Sequence, residues 1–128
     1  MVELSNKEFE QIVGDAIDAI PERYQKRLQN VAFIVEDEPS AAQRTQLKLH
    51  CDQTLLGLYE GVPLPQRGGA TKLLPDKITI FKKPLMHVSS DLADLKKRVG
   101  NTVWHEVAHY YGLDHLRIHQ LENRPKKG

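Results

Sequence analysis

Residues 105–115 read HEVAHYYGLDH, and the chemistry open to them follows from their spacing. Four residues make slightly more than one helical turn, so on a helix His105 and His109 lie one above the other and can aim two imidazole nitrogens at one ion. Glu106 projects beside them. A zinc ion held by two histidines and a third ligand keeps a position for water and lowers its pKa toward about 7. Glu106 then stands where a general base takes that proton and passes it to a departing amine. This is the physical sense of H-E-x-x-H.

The third ligand must come from beyond the straight helix, because a side chain at position 115 would lie well past the ion if the helix ran on. Gly112 removes that obstacle: without a Cβ it can adopt a positive φ and reverse the chain, bringing His115 back. His115 is favoured as third ligand. Asp114, next to it, is the alternative, or a hydrogen-bond partner that orients a ligand histidine. Tyr110 and Tyr111 are candidates for stabilising the charge that develops on a carbonyl oxygen, set against plain packing. His87 and His119 are further candidate ligands or proton donors, set against ordinary surface or core histidines. Trp104 reads as core support for the helix. The competing account of the stretch is a polar helix face with a glycine C-cap. A closed structural zinc site is disfavoured, since such sites use cysteine-rich ligand sets and the single cysteine, Cys51, lies far upstream. Cys51 reads as a small buried hydrophobe rather than an inhibitory fourth ligand.

These side chains need a helix and a sheet to hold them. Leu92, Leu95, Val99, Val103 and Val107 mark one face of a long helix starting near Ser90 or Asp91, with Asp94 in its first turn and the motif in its last turns. Phe9, Ile12, Val13, Ala16, Ile17 and Ile20 mark an amphipathic N-terminal helix capped by Ser5 or Asn6 and ended or kinked by Pro21. A further turn or two follows, with Pro21 at its first position and Tyr24 and Leu28 facing inward. VAFIV (31–35), LLGLYEG (55–61) and KITIF (77–81) read as strands, the last exposed on one face with an edge that a substrate peptide could pair. Residues 40–51 give no firm assignment. The segment PLPQRGGATKLLPD (63–76) is a breaker-rich loop.

The 128 residues suit one domain over 1–128, with a basic tail from about residue 122. Eighteen basic and seventeen acidic side chains leave a formal charge of +1, so no global field favours nucleic acid or an anionic membrane. One cysteine fits a reducing, cytoplasmic setting, and neither a signal peptide nor a membrane span is expected. Oligomeric state stays open.

HEVAHYYGLDH resembles the extended zinc signature of metzincin-type metallopeptidases. The wider chain is similar to the small bacterial zincin-like metallopeptidases, in which segments like LLGLYEGVPL and LPDKITIFKKPL precede a C-terminal HExxH helix. The resemblance runs from about Leu55 to Leu116. It implies an α+β, zincin-like minimal metalloprotease fold: a small mixed sheet packed on helices, with a C-terminal active-site helix. It also implies Zn2+ on His105, His109 and His115, with Glu106 as catalytic base. Full metzincins place a methionine turn beneath the metal, whereas no methionine follows Met86 here, so the support must differ. A bacterial rRNA-maturation endoribonuclease type shares three histidines but lacks the glutamate after the first, so Glu106 favours peptide hydrolysis. The expected function is a zinc peptidase acting on a peptide or protein substrate. The alternative is a noncatalytic zinc-containing protein-interaction module. A zinc nuclease is disfavoured because no broad basic and aromatic patch is present.

Overall fold

The computed structural model describes residues 3–26, 28, 31–46, 55–61 and 76–112. Their elements run α1 (Asn6–Asp18), α2 (Glu22–Gln25), β1 (Val31–Glu36), α3 (Ala41–Gln46), β2 (Gly57–Glu60), β3 (Asp76–Phe81), α4 (Lys82–Val88) and α5 (Leu92–Tyr110). The strands form one mixed sheet in the order β1-β3-β2. β1 runs parallel to β3 with Val31 opposite Asp76, and β2 runs antiparallel with Gly57 opposite Ile80. The architecture is the expected α+β one with a small mixed sheet.

α1 begins at Ser5, whose side chain accepts from the Glu8 N–H while Glu8 reaches back to the Ser5 N–H. This reciprocal cap satisfies two orphan donors and decides between the two expected caps. Phe9, Ile12 and Val13 then point inward. Pro21 is the N-cap of α2 rather than its first residue, and Tyr24 and Leu28 pack against the core as expected.

α5 shows which force wins. Val99, Thr102, Val103 and Val107 are weak helix formers, each costing up to about 0.7 kcal/mol against alanine. Leu95, Val99, Val103 and Val107 are nevertheless fully buried, and such burial contributes roughly 1.5–3 kcal/mol per side chain. Tertiary packing therefore holds this helix. Asp91 caps it by accepting from the Asp94 N–H at 2.7 Å, and Asp94 in turn pairs with Arg98 at 2.9 Å. The buried stripe starts at Leu95: Leu92, expected inside, is 45% exposed.

Two further expectations are corrected. β3 is the central strand and not one exposed on a face, since Ile78, Thr79, Ile80 and Phe81 are all fully buried. Alternation sends Ile78 and Ile80 to the face covered by α1 and α5, and Thr79 and Phe81 to the other. Because both edges of β3 are paired, no peptide can add to it. The unassigned stretch after residue 40 opens with a capping box, Ser40 accepting from the Gln43 N–H at 3.0 Å and Gln43 accepting from the Ser40 N–H at 2.8 Å. The S-x-x-Q spacing of residues 40–43 was the available signal for α3. Residues 82–88 form α4 with Pro84 in the first turn, where its missing N–H has no intrahelical role.

Candidate metal centre

α5 carries the centre on its last two turns. His105 and His109 are half-buried and Glu106 is buried. The two Nε2 atoms stand 3.0 Å apart, with the rings edge to face. One donor atom from each of His105, Glu106 and His109 lies within 4.8 Å of the others. Two imidazole nitrogens bound at about 2.0–2.1 Å in a tetrahedral site would be roughly 3.3 Å apart, so a small adjustment of either ring suits a shared zinc ion. The donor set is the borderline nitrogen type that zinc takes, and the fit to the implied metal is good.

The helix ends as the spacing requires. Tyr111 is the C-cap, and Gly112 follows with a φ of 73°, the left-handed conformation that glycine adopts without a Cβ penalty. Its N–H donates to the His109 carbonyl at 2.9 Å. His115, Asp114, His119 and Cys51 lie outside the described residues, as does the expected loop up to residue 75. His87 is exposed near the end of α4 and does not join the His105, Glu106 and His109 cluster.

Glu106 owes its setting to β2. The Phe81 N–H donates to the Leu56 carbonyl, so in this register the pairs 56/81, 58/79 and 60/77 exchange hydrogen bonds, while Gly57 and Tyr59 direct their backbone groups away from β3. The Tyr59 N–H donates to the Glu106 carboxyl. Glu106 therefore sits at the outer edge of β2. Burial pushes its carboxyl up to about 7, with the Tyr59 N–H pulling the opposite way.

The approach is possible because residue 57 is glycine. A Cβ there would stand 2.6 Å from Thr102 Cγ2 and 3.2 Å from Glu106 Cγ. Thr102 cannot easily swing aside, since its hydroxyl donates to the Arg98 carbonyl at 2.7 Å. Gly57→Ala is expected to cost about 1–3 kcal/mol, the range for overpacking, read as a lower urea midpoint at unchanged slope. No spacing rule marks Gly57 or Tyr59, since their roles depend on a strand brought against α5 from about fifty residues upstream.

The aromatic side chains flank the centre. Trp104 meets Tyr24 edge to face at 4.9 Å, and its Nε1 is buried without a hydrogen-bond partner among the described residues. Tyr111 donates its hydroxyl to the Tyr24 carbonyl and packs on the Tyr24 ring. Tyr110 is 1% exposed, between Tyr59 and Tyr111. Among the described residues no helix is long and apolar enough to cross a membrane.

The fold has a counterpart in the solved structure of a conserved hypothetical protein from Thermo thermophilus, with a TM-score of 0.59 and 21% identity over 84% of this chain and 94% of that one. No curated protein matches the sequence significantly. The model of the zincin-like metallopeptidases matches residues 28–124, a span that takes in the whole sheet, α5 and HEVAHYYGLDH. With two facing imidazoles, a buried glutamate between them in sequence and that match over most of its length, the chain belongs to the zincin-like metallopeptidase family.

Proposed function

We propose that the protein is a zinc-dependent peptidase in which Glu106 is the general base and His105, His109 and His115 hold the metal. The observation that carries this is the placement of Glu106: a buried carboxyl beside two convergent imidazoles, at the outer edge of β2. When bound, zinc would polarise the scissile carbonyl and acidify water.

The chain's own residues supply the rest. Glu106 accepts a proton from the attacking water and returns it to the leaving nitrogen. An extended peptide would lie along the outer edge of β2, where Gly57 directs its backbone groups away from β3 and the Tyr59 N–H is held by Glu106. Tyr110 and Tyr111 fit packing better than charge stabilisation, the first by its burial and the second by its bond to the Tyr24 carbonyl.

Metal content tests the ligand set. Untagged protein is expected to carry about one zinc per chain by elemental mass spectrometry, and His109→Ala and His115→Ala are each expected to lose most of it. Zinc retained in His115→Ala but lost in Asp114→Ala would transfer the third position to Asp114. Wild-type protein that takes up no zinc under reducing conditions would end the peptidase reading. Zinc without hydrolysis across a peptide library would leave the noncatalytic zinc module as the function.

A further inference from the structure

Among its contacts with the described residues, Tyr59 reaches different parts of the centre's surroundings. Its N–H donates to the Glu106 carboxyl. Its ring meets Tyr110, one helical turn beyond Glu106, edge to face with centroids 6.1 Å apart. Its hydroxyl donates to Asp76 Oδ2 at 2.5 Å. Asp76 is fully buried at the start of the central strand, two residues before Ile78, which is the register partner of Tyr59. Strand alternation puts Asp76, Ile78 and Tyr59 on the same face of the sheet, the one toward α5.

A buried carboxyl on a central strand adds nothing to the apolar core and is costly to leave without partners. Here it accepts from Tyr59, whose backbone N–H holds the proposed base. Gly61 closes over it: a Cβ at that residue would stand 2.5 Å from Asp76 Cγ. Both ends of the link are therefore set by the sheet, and α5 is set against it through Tyr59.

From this geometry we propose that Asp76 and Tyr59 form a positioning pair. Asp76 anchors the Tyr59 phenol, and the anchored Tyr59 holds the Glu106 carboxyl and the outer edge of β2 at a constant separation. Asp76 touches no reacting atom, and Tyr59 meets the base only through its backbone N–H. Their task is to keep the base and the peptide-binding edge aligned, since misplacement of a catalytic group by about 1 Å can cost on the order of a hundredfold in rate. The catalytic half of this inference rests on the peptidase reading; the link itself does not.

The test uses the full chain without metal and follows the amide of residue 59 by NMR. At pH 8, where the Glu106 carboxyl is ionised, Glu106→Gln shifts that amide resonance relative to wild type, because the group it donates to becomes neutral. In Tyr59→Phe the amide of residue 59 loses roughly tenfold or more of its exchange protection, the scale of a hydrogen bond to a charged group, while the core amides of Ile80 and Val103 keep theirs. Asp76→Asn, which leaves a weaker acceptor, gives a smaller loss at the same amide. Unchanged protection at residue 59 in either folded variant overturns the proposal. Global unfolding of both variants overturns it as well, by making the pair a stability element.

With turnover, Tyr59→Phe lowers kcat about tenfold and leaves zinc content unchanged and KM within about twofold. A wild type that cleaves nothing would sink the peptidase reading alone, because the amide experiment still decides whether Asp76 and Tyr59 hold Glu106. A KM effect with kcat unchanged would assign the pair to peptide binding and remove the role in aligning the base.

Discussion

Glu106→Gln is expected to lower peptide hydrolysis by at least about a hundredfold, the lower bound for losing a general base, with zinc content unchanged. Glutamine has nearly the same volume and can still accept from the Tyr59 N–H, so the buried site and the approach of β2 survive. What it lacks is a group that takes a proton from water near pH 7. The measurement is steady-state cleavage of a fluorogenic peptide identified from a library, with elemental analysis on the same sample. Equal turnover in wild type and variant, at equal zinc content, would remove Glu106 from the reaction and with it the peptidase mechanism.

The second large effect concerns stability and needs no substrate. In the metal-free chain the Glu106 carboxyl titrates near 7 when folded and near its ordinary value of about 4.5 when unfolded. Between those values the native state holds a proton that the unfolded state has lost, so stability is greatest below about 4.5 and falls as pH rises toward 7. The loss across the window is on the order of 3 kcal/mol. It comes from forcing a charge into a buried site with the Tyr59 N–H as partial compensation. Urea unfolding of metal-free protein at pH 5 and pH 8 measures it, with Glu106→Gln as reference, because the variant retains every other titrating group. The difference between wild type and variant should widen toward pH 8, with the variant the more stable there. A difference independent of pH would show that Glu106 is ionised throughout.

Both expectations concern one residue, and the sequence exposed only part of its setting. The spacing of His105, Glu106 and His109 is a local property. Any helix through those positions puts the two imidazoles together, and the stripe from Leu95 to Val107 demands a helix. Gly112 likewise announced the end of that helix, and its φ of 73° follows from the absence of a side chain. The N-terminal stripe and the three strands were legible for the same reason, whereas the choice of Ser5 over Asn6 as cap was not. The S-x-x-Q box of α3 is a local signal of the same kind.

What strand alternation could not tell is whether a second segment covers the far face. KITIF looked half exposed because Thr79 falls between two isoleucines, yet Thr79 and Phe81 are fully buried and β3 lies between β1 and β2. The order of strands depends on which distant segments pair, and no period within five residues encodes that. The proposed place for a peptide moves with it, from β3 to the outer edge of β2.

By itself, then, the sequence determined the meeting of His105 and His109 beside Glu106, the helix that carries them and the turn that ends it, since each depends on residues within a few positions of one another. Only the tertiary structure decided that Glu106 is buried at a strand edge, that Gly57 must lack a side chain there, and that Tyr59 links Glu106 to Asp76. Those facts arise from a strand and a helix some fifty residues apart packed at backbone distance. Desolvation, which raises the carboxyl's pKa, exists only once that contact has formed.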